Sequence, residues 1–354
     1  MLEKVIRKTG NEEPLDAIVI GVGSVGHGHL LYCTSMYENV VAIDTDDAKR
    51  QIIGKEFGSS VPTFASLGDF FARQPNSSSL TAVVSNLGPD HFSTVKTLLE
   101  RGVRKIYLEK PVSDSISNCQ ELVVLQRLSG ARLIVGFPRR HSGLVEAVVR
   151  SAEEHCGSLP TTIVVHGGAV DMSTNGIHWL DFACALFDSM PTSVVGSGSK
   201  ASINPRREDL FFWDGVLTWS FEGNRRLSIT FDNQSSVSAT ATVYYRNAVM
   251  IVEGDNLTIK TRNADDVSRF PSVTRYGVAT EKFRFSSHDL GIREWRKEVF
   301  GILEGDVSLR DSFSDSAEVT SAMLAGLWAV ENHERVELPV DSSHPSFFVE
   351  WKAS

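Results

Sequence analysis

Three groups of residues in this sequence have types and spacings suited to chemistry. The first is Gly21-Val22-Gly23-Ser24-Val25-Gly26, a G-x-G-x-x-G run that directly follows the apolar stretch Ala17-Ile18-Val19-Ile20. Gly21 permits a tight bend, Gly23 lets the backbone approach a pyrophosphate, and Gly26 lets a helix pack closely on the strand. Ser24 and Val25 open that helix, whose first N–H groups are free to meet an anion. Asp44 ends the next apolar run, eighteen residues after Gly26. Its carboxylate accepts hydrogen bonds from an adenosine ribose and repels a 2′-phosphate. The turn therefore predicts a bound dinucleotide, NAD ahead of NADP, with Arg50 the residue that would soften that preference. A Gly-rich bend with no ligand is the competing reading.

The second group is Glu109-Lys110-Pro111, directly after the apolar run Lys105 to Leu108. It sets a carboxylate and an amine at the C-terminal edge of a strand, where open α/β sheets bind their ligands. A solvated loop would look the same. The third is Asn175-Gly176-Ile177-His178-Trp179-Leu180-Asp181. Ile177, Leu180, Cys184 and Phe187 fall on one helical face, so His178 sits beside an apolar stripe. Asp181, three residues on, is close enough to orient the imidazole. An Asn cap followed by a surface His–Asp pair is the alternative. His27 and His29, just past the glycine turn, read as packing or surface residues.

The elements that would position these groups are legible along the chain. Apolar, β-branched runs at 17–20, 39–44, 82–85, 105–108 and 132–135 alternate with helical stretches such as His91 to Arg101. That alternation predicts a doubly wound parallel sheet, an α/β Rossmann domain over residues 1–140. From Thr161 onward the strands are longer and alternate in polarity. Examples are Arg226 to Phe231 and the pair Ala248 to Glu253 and Leu257 to Thr261, which flanks a turn at Gly254-Asp255-Asn256. Residues 141–354 therefore predict an α+β domain on a large, mainly antiparallel sheet with one face open. Helices are expected over Gly291 to Leu303 and Ser314 to Asn332. The open face, with Trp219, Phe221, Phe231 and Tyr245 as candidates, would then be an apolar patch of the kind that marks an interface.

Composition removes several function classes. The 354 residues carry 35 Lys plus Arg against 44 Asp plus Glu, a net charge of −9, with 42% hydrophobic and 22% charged residues. An acidic balance without a basic tract argues against nucleic acid as a partner. No apolar run reaches the length of a membrane span, and the polar start is not a secretory signal. Cys33, Cys119, Cys156 and Cys184 have neither metal-ligand nor disulfide-framework spacing, so no metal is expected and a cytoplasmic location is the default.

In combination, these motifs resemble the Gfo/Idh/MocA oxidoreductases, typified by glucose–fructose oxidoreductase and inositol dehydrogenase. Gly21, Gly23, Gly26 and His29 fit the opening signature, Asp44 the ribose-binding acid, and Glu109-Lys110-Pro111 the central motif. Phe137 to Arg140 fit the "GF-x-R" strand end, and His178 with Asp181 the helix of the substrate domain. The resemblance implies that Ser85, Asn86, Leu87 and His91 line the nicotinamide side, with Glu109 and Lys110 beside the cofactor. It also implies a carbohydrate-type substrate met by Lys110, Arg140, Asn175, His178 and Asp181, and a homodimer or homotetramer. His166 joins that set if its strand faces the cofactor. Asn86-Leu87 replaces the usual Thr-Pro order, and one departure has more consequence: many members have Asp four residues before the catalytic His, and here it is Thr174, with Asp171 or Asp181 as substitutes.

The chemistry implied is reversible hydride transfer at a ring carbon of a sugar, amino sugar, sugar nucleotide or cyclitol. His178 would be the acid/base and Lys110 the cation that steadies the alkoxide. A cofactor-binding sugar sensor without turnover is the alternative, since fold alone does not certify chemistry. The aromatic run Phe211-Phe212-Trp213 reads first as packing, and Arg206 with Arg207 as surface or phosphate-facing cations.

Overall fold

Runs of Ile, Val and Ala that are apolar on both sides need cover on both faces, and the first sheet provides it. In the computed structural model, which describes residues 16–73, 79–201, 211–262, 281–305 and 312–348, six parallel strands lie in the order β3-β2-β1-β4-β5-β6. They are β1 (Asp16–Ile20), β2 (Asn39–Ile43), β3 (Thr63–Phe64), β4 (Thr81–Val84), β5 (Lys105–Leu108) and β6 (Arg132–Val135). Ile18 and Val19 of the central β1 are wholly buried. The connecting helices are α1 (Ser24–Met36), α2 (Asp47–Phe57), α3 (Leu67–Arg73), α4 (Gly88–Glu100) and α5 (Ile116–Ser129). Chain order reverses between β1 and β4, so the turns after β1, β4 and β5 all open at the C-terminal edge, where such sheets bind ligands. Those turns hold the glycine run, Ser85 to Leu87, and Glu109 to Pro111.

The chain divides into two compact units. The first comprises Met1–Ser113, Asn118–Gly136 and Val299–Ser314, the second Asp114–Ser117, Phe137–Glu298 and Asp315–Ser354. Residues after 140 are thus not all in the second unit, because the end of a later helix returns to the first. The reason is visible at Glu304, the last residue of that helix. Its carboxylate accepts from the Tyr37 hydroxyl at 2.8 Å, the Thr81 hydroxyl at 2.9 Å and the Lys105 ammonium. Burial, reinforced by that carboxylate, pushes the Tyr37 phenol far above its ordinary value, so it stays a donor. Glu304→Ala would leave Lys105 and two hydroxyls without their acceptor. The expected cost is about 2–3 kcal/mol, near the low end for such pairs because Lys105 is partly solvated. A melting temperature and urea midpoint equal to wild type would show that the cluster holds nothing.

The second unit is built on nine strands ordered β14-β13-β12-β11-β7-β10-β9-β8-β15. They are β7 (Thr162–Gly167), β8 (Ser193–Ala201), β9 (Phe212–Phe221), β10 (Arg225–Phe231), β11 (Thr240–Tyr244), β12 (Ala248–Glu253), β13 (Asn256–Thr261), β14 (Glu281–Phe285) and β15 (Val336–Glu337). Every pairing is antiparallel except β7 with β10. Helices α6 (Pro138–His141), α7 (Leu144–His155), α8 (Ile177–Phe187), α9 (Ser287–Leu290), α10 (Trp295–Glu304) and α11 (Phe313–Asn332) follow among the described residues. The hairpin β12–β13 and the strands β5 and β6 lie where the apolar pattern sets them.

One expectation about this sheet is overturned. Trp219, Phe221, Phe231 and Tyr245 are all buried, at 0–6% exposure, and so form no open apolar patch. Trp219 donates its indole N–H to the Ala322 carbonyl at 3.2 Å, and Gly326 of α11 lies against Trp219 and Leu217. α11 therefore covers the aromatic face. The opposite face carries Thr162, Val164, Val216, Thr218, Ser228, Thr242 and Val249, the residues that alternate with the buried set. Phe212 and Trp213 are buried as well, in line with the packing reading; Arg206 and Arg207 lie outside the described residues.

Candidate active site

The glycine turn is shaped by contacts that only hydrogen can make. Gly21 has φ +82°, and a Cβ there would sit 2.5 Å from the Asn86 backbone. A Cβ on Gly26 would lie 1.8 Å from the Gly21 carbonyl oxygen, because α1 starts directly against the turn. Gly23 is different: a Cβ there would meet nothing within 4 Å. The protein leaves that side open, as close approach of a pyrophosphate requires. Asp44, almost fully buried, accepts from the Val22 N–H and the Asp46 N–H, each at 2.9 Å. It thus ties the turn to β2, and a carboxylate with about four lone-pair sites keeps capacity for ribose hydroxyls. The Arg50 guanidinium is committed to the Asp44 and Thr45 carbonyls and to Asp47, which leaves it poorly placed to greet a 2′-phosphate.

The turns after β4 and β5 are braced from inside. Ser85 donates to the Gly21 carbonyl at 2.8 Å, and Asn86 to the Thr94 hydroxyl at 2.9 Å. His91 is buried with its two ring nitrogens at the Pro111 carbonyl (2.6 Å) and the Asn86 carbonyl (3.1 Å), and burial lowers its pKa. A neutral imidazole has one N–H and donates to only one of these carbonyls, and the ring lies between the two turns. Glu109 meets two buried partners: His29 Nε2 at 2.9 Å and the Tyr107 hydroxyl at 2.6 Å, both on Oε1. Burial works against its charge, but the bonds from His29 and Tyr107 and the charge of Lys110 win, and its pKa is lowered. Glu109 is therefore an anion fixed beside Lys110. The spacing that marks His29, three residues past Gly26, gives no hint of this pairing across eighty residues. Gly136 admits it, since a Cβ there would strike the Tyr107 hydroxyl at 2.1 Å.

In the second unit, a five-residue π-helical turn (Met172–Gly176) leads into α8. Such turns are rare and recur at functional sites. Asp171, at φ +63°, anchors it by accepting from the Ser173 hydroxyl (2.6 Å), the Thr174 N–H (3.0 Å), the Thr174 hydroxyl and the Trp213 N–H (2.8 Å). A carboxylate so filled is a structural anchor, and it is lost as a proton relay. Asn175 donates to the Val170 carbonyl. His178 is half-buried, with the edge of Phe137 against its ring at 6.1 Å. Asp181 accepts from Arg140 Nε at 3.0 Å and Nη2 at 2.7 Å, both on Oδ1, in a buried ion pair. Arg139, the arginine of the G-F-x-R run, lies over the Trp179 ring with its guanidinium carbon 3.8 Å from the centroid.

His166 falls outside this group. It is exposed on β7, alternating with the buried Val165, whereas α8 packs on the Val165 and Ile229 side. It borders a cavity of about 360 Å³ at the ends of β7–β10, together with Ser199, Asp214 and Asp232. The described residues contain no group of three His, Cys, Asp or Glu able to hold a metal, and no helix long and apolar enough to cross a membrane.

A cradle open at Gly23, closed by glycines on either side and tied to a ribose-reading acid is the geometry of a nicotinamide-dinucleotide site. Residues 15–137 match the model of an oxidoreductase family with an NAD-binding Rossmann fold. Over those residues the chain is similar to the Gfo/Idh/MocA oxidoreductases. An inositol 2-dehydrogenase of Saccharopolyspora erythraea is 28% identical over 156 residues, covering 42% of this chain and 43% of that protein. The alignment thus spans less than half of that curated relative. The WlbA dehydrogenase of Chromobacterium violaceum, solved with NADH and UDP-GlcNAcA, superposes with a TM-score of 0.70 at 14% identity, over 95% of this chain and 99% of that one. The transcriptional regulator Gal80p of Kluyveromyces lactis gives 0.63 at 15% identity, over 92% and 91%. Likeness at such identity is one of fold, and it runs through both sheets. In this chain, Val22, Gly23, Ser24 and Asp44 are the residues that fit NAD.

Proposed function

We propose that this protein is an NAD-dependent dehydrogenase acting on a secondary alcohol of a sugar, amino sugar, sugar nucleotide or cyclitol. The open cradle at Gly23, with Asp44 committed to the turn and Arg50 turned away, carries the reading and favours NAD over NADP. When bound, NAD supplies the hydride acceptor. The residues of the chain handle the rest. His178 takes the hydroxyl proton, a task matched to an imidazole near neutrality. Lys110, steadied by the fixed Glu109 anion, holds the oxygen as its charge develops. Asn175 and the Arg140–Asp181 pair orient the substrate around His178. Thr174, whose hydroxyl is already given to Asp171, leaves the imidazole as the proton acceptor.

A second reading is a sensor that binds cofactor and sugar without turnover, and the fold shared with the transcriptional regulator Gal80p gives it weight. Incubating the protein with NAD and a panel of sugars and cyclitols, and following the NADH absorbance band, decides between them. Steady NADH formation with any one of them establishes the enzyme. Tight binding of a sugar and cofactor with no NADH formed would establish the regulator.

A further inference from the structure

Asp171 spends its carboxylate in two directions at once. Oδ1 accepts from the Trp213 N–H of β9 at 2.8 Å. Oδ2 takes the Ser173 hydroxyl at 2.6 Å, the Thr174 N–H at 3.0 Å and the Thr174 hydroxyl. The residue is buried and sits at φ +63°, a conformation that side-chain-bearing residues hold only where surrounding bonds demand it. A carboxylate has lone pairs and no proton to give, so both hydroxyls direct their protons at it. Ser173 is itself buried. Thr174 is placed differently: along the turn Met172, Ser173, Gly176 and Ile177 are buried, whereas Thr174, Asn175 and His178 are half-buried. Thr174 therefore shares the accessible side of the turn with the imidazole, four residues before it.

A threonine hydroxyl ordinarily rotates and serves as donor or acceptor as its partner requires. Here that rotation is stopped. With its proton held by Asp171, the Thr174 oxygen can meet a group on the accessible side only as an acceptor. We infer that Asp171 is a positioning residue that makes Thr174 a fixed acceptor, so that the site selects a substrate with a hydroxyl or amino donor close to the carbon whose alcohol meets His178. An ether or ketone oxygen at that place would set lone pairs against lone pairs, a rejection built into the turn. This deepens the dehydrogenase reading and rests on it in taking the His178 turn as the substrate end.

Binding calorimetry with NADH saturating, so that no alcohol can turn over, tests the inference. The probes are glucose, glucosamine, UDP-glucose and myo-inositol, then the monodeoxy and deoxyfluoro analogues of whichever binds most tightly. At one ring position both replacements should weaken binding about tenfold, as the loss of one hydrogen bond supplies. Thr174→Val keeps the shape and should close that gap by weakening the parent compound, while Thr174→Ser should preserve it. Asp171→Gly accepts φ +63° without strain. It should narrow the gap with Thr174 still in place, because a hydroxyl released from the carboxylate can turn its proton toward the fluorine. Melting temperatures check the fold of each variant, and the two Thr174 variants decide the matter if Asp171→Gly does not fold. Several results would overturn the inference: no ring position that needs a donor, a gap unchanged in Thr174→Val, or parent and analogues weakened equally in a folded Asp171→Gly. Absence of binding by all four probes would remove the carbohydrate reading and the inference with it. Failure of the dehydrogenase reading alone looks different: the gap is present, and no NADH forms when NAD replaces NADH.

Discussion

His178→Ala should lower kcat by about 10³-fold, within the range that a positioned acid/base contributes, while NADH binds as it does to wild type. Lys110→Ala should lose turnover on a comparable scale, since a cation held at a developing alkoxide acts mainly in the transition state. The two losses should differ in how they respond to substitution. Lys110→Arg keeps the charge but replaces a compact ammonium by a broad planar fork, and little activity should return. NADH fluorescence titration separates either effect from damage to the cradle, because Val22, Gly23 and Asp44 are untouched. A His178→Ala variant turning over the true substrate at wild-type rate would remove the imidazole from the chemistry. The same result for Lys110→Ala would leave Glu109, with His29 and Tyr107 behind it, as scaffolding for the turn alone.

How much of this was legible before the structure depends on how local each feature is. β5, β6 and the β12–β13 hairpin lie where apolar runs and the Gly254-Asp255 turn set them, because burial on both faces or one imposes its period directly on the sequence. The faces of the second sheet were misread for a related reason. Alternation in Leu217, Trp219 and Phe221 separates two faces, but which one is covered depends on α11, about a hundred residues further on. Pairings over long separations leave no period at all: His29 with Glu109, Asp171 with the Trp213 N–H, Glu304 with Tyr37. Arg139 and Arg140 look equivalent side by side in the chain. Only the fold shows that one meets a carboxylate and the other an indole.

The glycine turn allows a sharper separation of packing from binding than any catalytic residue does. Gly26→Ala should destabilise the first unit and reduce NADH affinity by about a hundredfold or more. Its new methyl would point at the Gly21 carbonyl oxygen 1.8 Å away and at the Ser85 hydroxyl at 2.7 Å. The carbonyl cannot step aside cheaply: Gly21 bonds the Ile43 carbonyl through its N–H at 2.7 Å, and its own oxygen accepts from Ser85. α1 must lift instead, and overpacking of that kind costs about 1–3 kcal/mol or more, enough to displace the N–H groups that face the pyrophosphate. Gly23→Ala should behave differently. Gly23 has φ −66° and ψ −167°, a conformation that alanine adopts freely, and its methyl would meet no protein atom within 4 Å. Its melting temperature without cofactor should equal that of wild type, yet its NADH affinity should fall, because the methyl fills the space left for the dinucleotide. Wild-type affinity in Gly23→Ala would mean that the opening beside the turn is not where NAD lies, whatever Gly26→Ala does to the fold.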